Sequence, residues 1–197
     1  MERRAFLNMA VKKARSPAPP PMQWIRPPYA APELHFLASC TRCDACIPAC
    51  PHHVIFKLPE KSGRLAAGTP AMDLMNHGCH MCLDTPCVTA CETGALRRDP
   101  VLDKVEDEEA GENADVSTPF PTLALATIEE KSCLPYSGPE CGACAHSCPV
   151  PDALYWVSGV RPVINADACT GCALCREACI VSPNAIKITA APITPDD

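Results

Sequence analysis

Large aromatic side chains are scarce in this sequence: two Trp, three Tyr and four Phe in 197 residues, set against 23 prolines. So few rings exclude a large apolar core built by this chain alone, and folds with too little core are commonly held together by metals. No window approaches the ~20 apolar residues of a spanning helix, so no integral membrane segment is expected. A phosphate-binding glycine loop, a Ser–His–Asp arrangement and an isolated open metal site are all missing, so the chain reads as a non-enzyme. Basic residues are also in deficit. Seventeen Lys and Arg against 23 Asp and Glu leave −6 at pH 7, a balance that disfavours nucleic acid as a partner.

Cysteine, by contrast, is abundant and ordered. The sixteen cysteines fall into four groups of four: Cys40, Cys43, Cys46, Cys50; Cys79, Cys82, Cys87, Cys91; Cys133, Cys141, Cys144, Cys148; and Cys169, Cys172, Cys175, Cys179. None is left over. The first group is spaced Cys-x2-Cys-x2-Cys-x3-Cys and runs straight into Pro51. That is the bacterial-type spacing for a cubane 4Fe–4S centre. Disulfides fit badly, because the close triplets cannot all pair locally without strain. Structural zinc usually takes two Cys-x-x-Cys knuckles separated by a longer stretch, whereas groups one and four add a third thiolate two residues later. The reading is four 4Fe–4S clusters, structural as well as functional, with all sixteen cysteines as ligands and an iron-free chain that is largely unfolded.

Each oxidised cluster with four thiolates carries roughly −2, so the loaded protein sits near −14, roughly −8 beyond the formal −6. Such a field favours a redox partner with a basic patch and weakens with salt. Exposed clusters and thiolates imply a reducing compartment or a sheltered complex.

Charge is divided along the chain. Residues 1–30 hold six basic groups (Arg3, Arg4, Lys12, Lys13, Arg15, Arg26) against Glu2 alone, a net +5, and the remainder carries a net −11. The arm is either a separately acting recognition tail or one folded back on an acidic surface. Arg3-Arg4-Ala5-Phe6-Leu7 looks like the core of a twin-arginine export signal. Only Met9-Ala10-Val11 follows before Lys12-Lys13, which is no h-region, so a cytoplasmic location is expected.

The expected architecture is α+β, with two tandem bacterial two-cluster ferredoxin-like modules behind a basic, proline-rich arm. The arm takes residues 1–32, the first module 33–98, an acidic linker 99–122, the second module 123–190 and a tail 191–197. A short strand is expected at Val54-Ile55-Phe56-Lys57-Leu58, and one helical turn around Ala71–Met75 within an otherwise looped connection. Ala153–Val157 and Val160–Ile164 flank Ser158-Gly159, which signals a hairpin. Ala185-Ile186-Lys187-Ile188-Thr189 supplies a last strand. Groups one and three are followed by proline and groups two and four are not, so the chain repeats internally. Small residues between ligands (Ala45, Ala49, Gly142, Ala143, Gly171) let backbone N–H groups approach sulfur. His52, His53, His77 and His80 read as surface groups or as groups just behind the ligands.

Ile25-Arg26-Pro27-Pro28-Tyr29, His35-Phe36-Leu37 and Cys40-Thr41-Arg42-Cys43-Asp44-Ala45-Cys46 are similar to NapF, a ferredoxin-type accessory protein of the periplasmic nitrate reductase system. Gly68-Thr69-Pro70, Asp84-Thr85-Pro86-Cys87 and Cys169-Thr170-Gly171-Cys172 look closer to its relatives NapG and MauM. The resemblance spans residues 25–188. In such two-cluster ferredoxins the fourth cysteine of each group crosses to the other cluster. Tandem pairing then implies Cys40, Cys43, Cys46 with Cys91; Cys79, Cys82, Cys87 with Cys50; Cys133, Cys141, Cys144 with Cys179; and Cys169, Cys172, Cys175 with Cys148. The rival arrangement pairs group one with four and two with three, as in large four-cluster subunits of molybdenum oxidoreductases; the hairpin joining groups three and four favours the tandem version.

The resemblance implies a cytoplasmic accessory and electron-transfer factor in maturation of the nitrate reductase catalytic subunit, with that molybdoenzyme precursor as partner. The alternative is a NapG- or MauM-like electron-transfer subunit between a membrane quinol dehydrogenase and a terminal oxidoreductase. A third reading is a scaffold whose clusters only hold it folded.

Overall fold

The computed structural model describes residues 24–98 and 120–191. The Arg3-Arg4 pair with the rest of the arm to residue 23, the acidic run at 103–115 and residues 192–197 lie outside the described residues.

The helices are short because cysteine spacing and proline leave room for little more than one turn. They are α1 Glu33–Ser39, α2 Cys46–Ala49, α3 Pro86–Thr89, α4 Leu134–Ser137 and α5 Leu174–Glu177. Proline opens α3 and stands near the start of α4, where its missing N–H costs nothing. A four-residue helix is unstable alone, so these turns depend on what packs against them.

Among the described residues, three antiparallel strand pairs complete the frame. β1 (Ile55–Lys57) pairs with β2 (Pro70–Met72), Ile55 facing Met72. The strand signal at 54–58 is thus met by β1. The helical turn expected around Ala71–Met75 is replaced by β2 at its start. Long-range pairing wins there: β2 is buried throughout and the Met72 N–H donates to the Ile25 carbonyl at 2.8 Å. Pro70, at the strand's first position, loses no ladder donor.

In the second half, β4 (Leu154–Val157) and β5 (Arg161–Ile164) form the expected hairpin. Ser158 and Gly159 turn it with positive φ (53° and 70°), as strand twist requires of such turns. β3 (Ala124–Ile128) pairs with β6 (Ile186–Ala190), whose alternating burial matches the last strand signal. The first half has a smaller counterpart, where Ala30 bridges Leu96 and Ala31 donates to the Ala95 carbonyl at 3.0 Å.

One apolar core runs through both halves. Phe36, Val54, Ile55, Leu74 and Leu96 join Ala124, Ala173, Ile186 and Ile188 in a continuous buried cluster. Residues 24–31 are stitched to it by Arg26. Its guanidinium donates to both Glu33 oxygens (2.9 and 2.6 Å), to Thr69 Oγ1 at 2.9 Å and to the Pro70 carbonyl at 2.8 Å, and lies 4.6 Å over the Phe36 ring. Arg26, counted above among the arm's charges, is therefore occupied within the fold.

Candidate iron–sulfur sites

None of the sixteen cysteines is in a disulfide. Cys46, Cys50, Cys87, Cys133, Cys172 and Cys175 are buried, and Cys43 is exposed. No three His, Cys, Asp or Glu side chains among the described residues converge as a single metal ion would require.

Two of the cysteine triplets instead line a space together with a more distant cysteine. Cys50, Cys79, Cys82 and Cys87 line one cavity together with Pro51, Pro86 and Thr85. Cys148, Cys169, Cys172 and Cys175 line another, walled by Ala126, Val150, Ala153, Leu154 and Ile164. Electrostatic neighbours fall largely into the same grouping, with Cys144 also beside Cys175 and Cys172 beside Cys79. Burial pushes the Cys46 thiol up to about 12, with Cys40, Cys91 and Cys43 acting in the same direction. Burial pushes Cys87 up to about 11, aided by Cys50. Burial also raises Cys144, with Cys179, Cys133 and Cys141 adding to it, and takes Cys175 up to about 12, with Cys172, Cys169 and Cys148 among its neighbours.

The backbone between ligands is bent where the thiols converge. Arg42 and Asp44 (φ 60° and 64°), Met81 (47°), and Gly171 and Ala173 (69° and 67°) all sit in the left-handed region between cysteines. Each non-glycine residue there costs on the order of 1–2 kcal/mol, which persists only where surrounding structure holds it. Two backbone N–H groups approach sulfur. Gly171 N–H approaches Cys169 Sγ at 3.4 Å and Leu96 N–H approaches Cys91 Sγ at 3.4 Å. Burial raises the Cys91 thiol, but hydrogen bonds from Leu96 and Thr93 outweigh it and bring the group below its ordinary value. Gly171 meets the expectation through its N–H at Cys169 Sγ, and a Cβ there would in addition lie 2.0 Å from the Ala124 carbonyl oxygen. Gly142 has open space instead.

Two histidines take places that spacing alone could not reveal. His52 and His80 stack at 3.5 Å with planes 7° apart, and both line the Cys50–Cys79–Cys82–Cys87 cavity. Burial, and then the His80 charge, hold His52 below its ordinary value. They are 28 positions apart in the sequence, and only the convergence of groups one and two joins them.

Buried and half-buried thiols gathered by short loops, with amide donors beside some of them, fit a thiolate-ligated cubane, which takes up and releases one electron. The fold and the thiol sets define a ferredoxin-type iron–sulfur protein. The family described as the 4Fe-4S dicluster domain matches residues 39–95. The methylamine utilization ferredoxin-type protein MauM of Paracoccus denitrificans is 34% identical over 182 residues, covering 88% of this chain and 75% of that protein. The ferredoxin-type protein NapG of Escherichia coli is 32% identical, covering 83% of this chain and 69% of that protein. NapF of the same organism is 33% identical, covering 80% of this chain and 81% of that protein. The chain belongs to the NapF/NapG/MauM family of ferredoxin-type 4Fe–4S electron-transfer proteins.

Proposed function

We propose that the chain is a four-cluster electron carrier, not itself an enzyme, whose sites are Cys40, Cys43, Cys46, Cys91; Cys50, Cys79, Cys82, Cys87; Cys133, Cys141, Cys144, Cys179; and Cys148, Cys169, Cys172, Cys175. The observation that carries this reading is the completion of each cysteine triplet by a cysteine from the other group of the same half. That arrangement supports two tandem two-cluster units over the one-with-four pairing. Thiolate shells that are already complete leave the histidines with no ligand role.

The step it serves, on kinship with NapF and in the cytoplasm, is maturation of the nitrate reductase molybdenum subunit before export. Its acidic body suits a partner with a basic patch, and the acidic field should make that docking sensitive to salt. Capture of a molybdoenzyme precursor by the anaerobically prepared protein would support this step. Capture of a membrane quinol-oxidising complex in its place would overturn it and move the chain to the relay role between two enzymes. Redox titration separates both from a scaffold, which would show no reversible one-electron reduction.

A further inference from the structure

Beyond the core they share, the two halves make a close polar contact that the electron-carrier reading leaves unexplained. Residues 75–81 lie against residues 170–177, bringing together the loop that begins group two and the loop and turn that carry most of group four. Cys79 N–H donates to the Cys172 carbonyl at 2.7 Å, Gly78 N–H to Glu177 Oε2 at 2.8 Å and Arg176 Nε to the Met75 carbonyl at 2.9 Å. Thr170 Oγ1 reaches Met81 Sδ at 3.3 Å. The approach leaves no room for a side chain at position 78. A Cβ there would lie 2.7 Å from Leu174 Cδ2 and 2.9 Å from the Leu174 backbone. Gly78 has no positive φ, so closeness to its neighbour, not turn geometry, is what demands glycine here.

We propose that this contact is the electron-transfer junction between the halves, and that it arranges the four sites in a line whose order differs from the order of the cysteine groups in the chain. The inference rests on the four-site reading given above. Within the first half, α2 carries Cys46 of one site and leads to Cys50 of the next, while α3 carries Cys87 and leads back to Cys91. One helical turn thus links two sites, and in the second half Cys144 to Cys148 and Cys175 to Cys179 do the same. Between halves, Cys79 and Cys172 belong to different sites, yet their backbones are hydrogen-bonded to each other. The line therefore runs from the Cys40 site to the Cys79 site, across the junction to the Cys172 site, and on to the Cys133 site. The first and last are the ports.

A crossing moves one electron. With clusters held by the two thiol sets, the donor would return from the reduced to the oxidised level as its neighbour gained the electron, with no bond or proton exchanged. Gly78 and Glu177 act as positioning residues that set the separation.

The test uses full-length, anaerobically loaded protein reduced with dithionite, and reads spin–spin broadening between neighbouring reduced sites by paramagnetic resonance. Interaction across the junction should vanish in Cys82→Ser and in Cys172→Ser, and survive in Cys43→Ser and Cys141→Ser, which remove only the ports. Gly78→Val should keep the full iron and sulfide content and lose that component of the broadening. Glu177→Gln, which keeps an acceptor for Gly78 N–H, should retain it. A junction component that disappears with Cys43→Ser or Cys141→Ser, or persists in a fully loaded Gly78→Val, overturns the order. If Gly78→Val fails to load, the four cysteine variants decide alone. Wild-type protein that saturates at two clusters overturns the four-site reading itself, and the order with it.

Discussion

Replacing Cys50 by serine tests the crossing of ligands most directly. Cys50 follows α2, is 9% exposed and lines the cavity with Cys79, Cys82 and Cys87, although Cys46, four positions earlier, faces Cys40, Cys43 and Cys91. Oxygen for sulfur keeps the backbone and nearly the volume, so packing should cost less than about 1.5 kcal/mol. A buried hydroxyl without a partner adds about 1–3 kcal/mol. The larger effect is on the metal, since a serine hydroxyl stays protonated at neutral pH and makes a poor replacement for thiolate. One cubane of four should be lost, about four of about sixteen irons with as many sulfides. Single variants do not say which cubane, but pairs do, because two changes in one site are not additive. Cys50→Ser with Cys82→Ser should still lack about four irons, and Cys50→Ser with Cys43→Ser or with Cys172→Ser about eight. The assay is iron and acid-labile sulfide per chain after anaerobic reconstitution. If Cys50→Ser with Cys172→Ser lacks only about four irons, groups one and four share a cluster and the crossing assigned here is wrong.

Gly171→Ala should cost at least about 1 kcal/mol from its positive φ alone, and more from backbone contact, since its Cβ would fall 2.0 Å from the Ala124 oxygen. Thermal unfolding and loss of one cluster should report it, while Gly63→Ala, with φ +98° and nothing within 4 Å, should show the strain without the contact. For pH, Cys46, Cys79 and Cys175 are raised from 9.0 to about 12, chiefly by burial. Cluster formation must displace their protons, so loading should strengthen as pH rises and the visible absorbance of the loaded protein should bleach as it falls. Removing residues 1–23 should keep cluster content and weaken partner binding in a salt-dependent way, measured by titration at two ionic strengths. A cut after residue 30 would also take Arg26 and its bonds to Glu33, Thr69 and Pro70, and should therefore lower stability as well.

What the sequence by itself determined is what lies close along the chain. Three thiols within seven positions, as in Cys40–Cys46 or Cys169–Cys175, fall into one loop whatever the rest of the chain does, so the donor type and the metal chemistry were legible at once. The hairpin around Ser158-Gly159 and the strands at Ile55–Lys57 and Ile186–Ala190 were legible for the same reason, since alternation and turn residues act locally. The helical turn expected around Ala71 was wrong at its first residues because Ile55–Lys57 and Ile25 supply partners from elsewhere. Family resemblance implied the crossing of each fourth cysteine, but local spacing could not choose among partners. Tertiary structure alone brought His52 onto His80, turned Arg26 from a charge of the arm into an internal clamp, and set Gly78 against Leu174. Those contacts depend on which surfaces of two small units bury one another, a free energy summed over many side chains from both halves. No spacing within a single stretch of chain carries that sum.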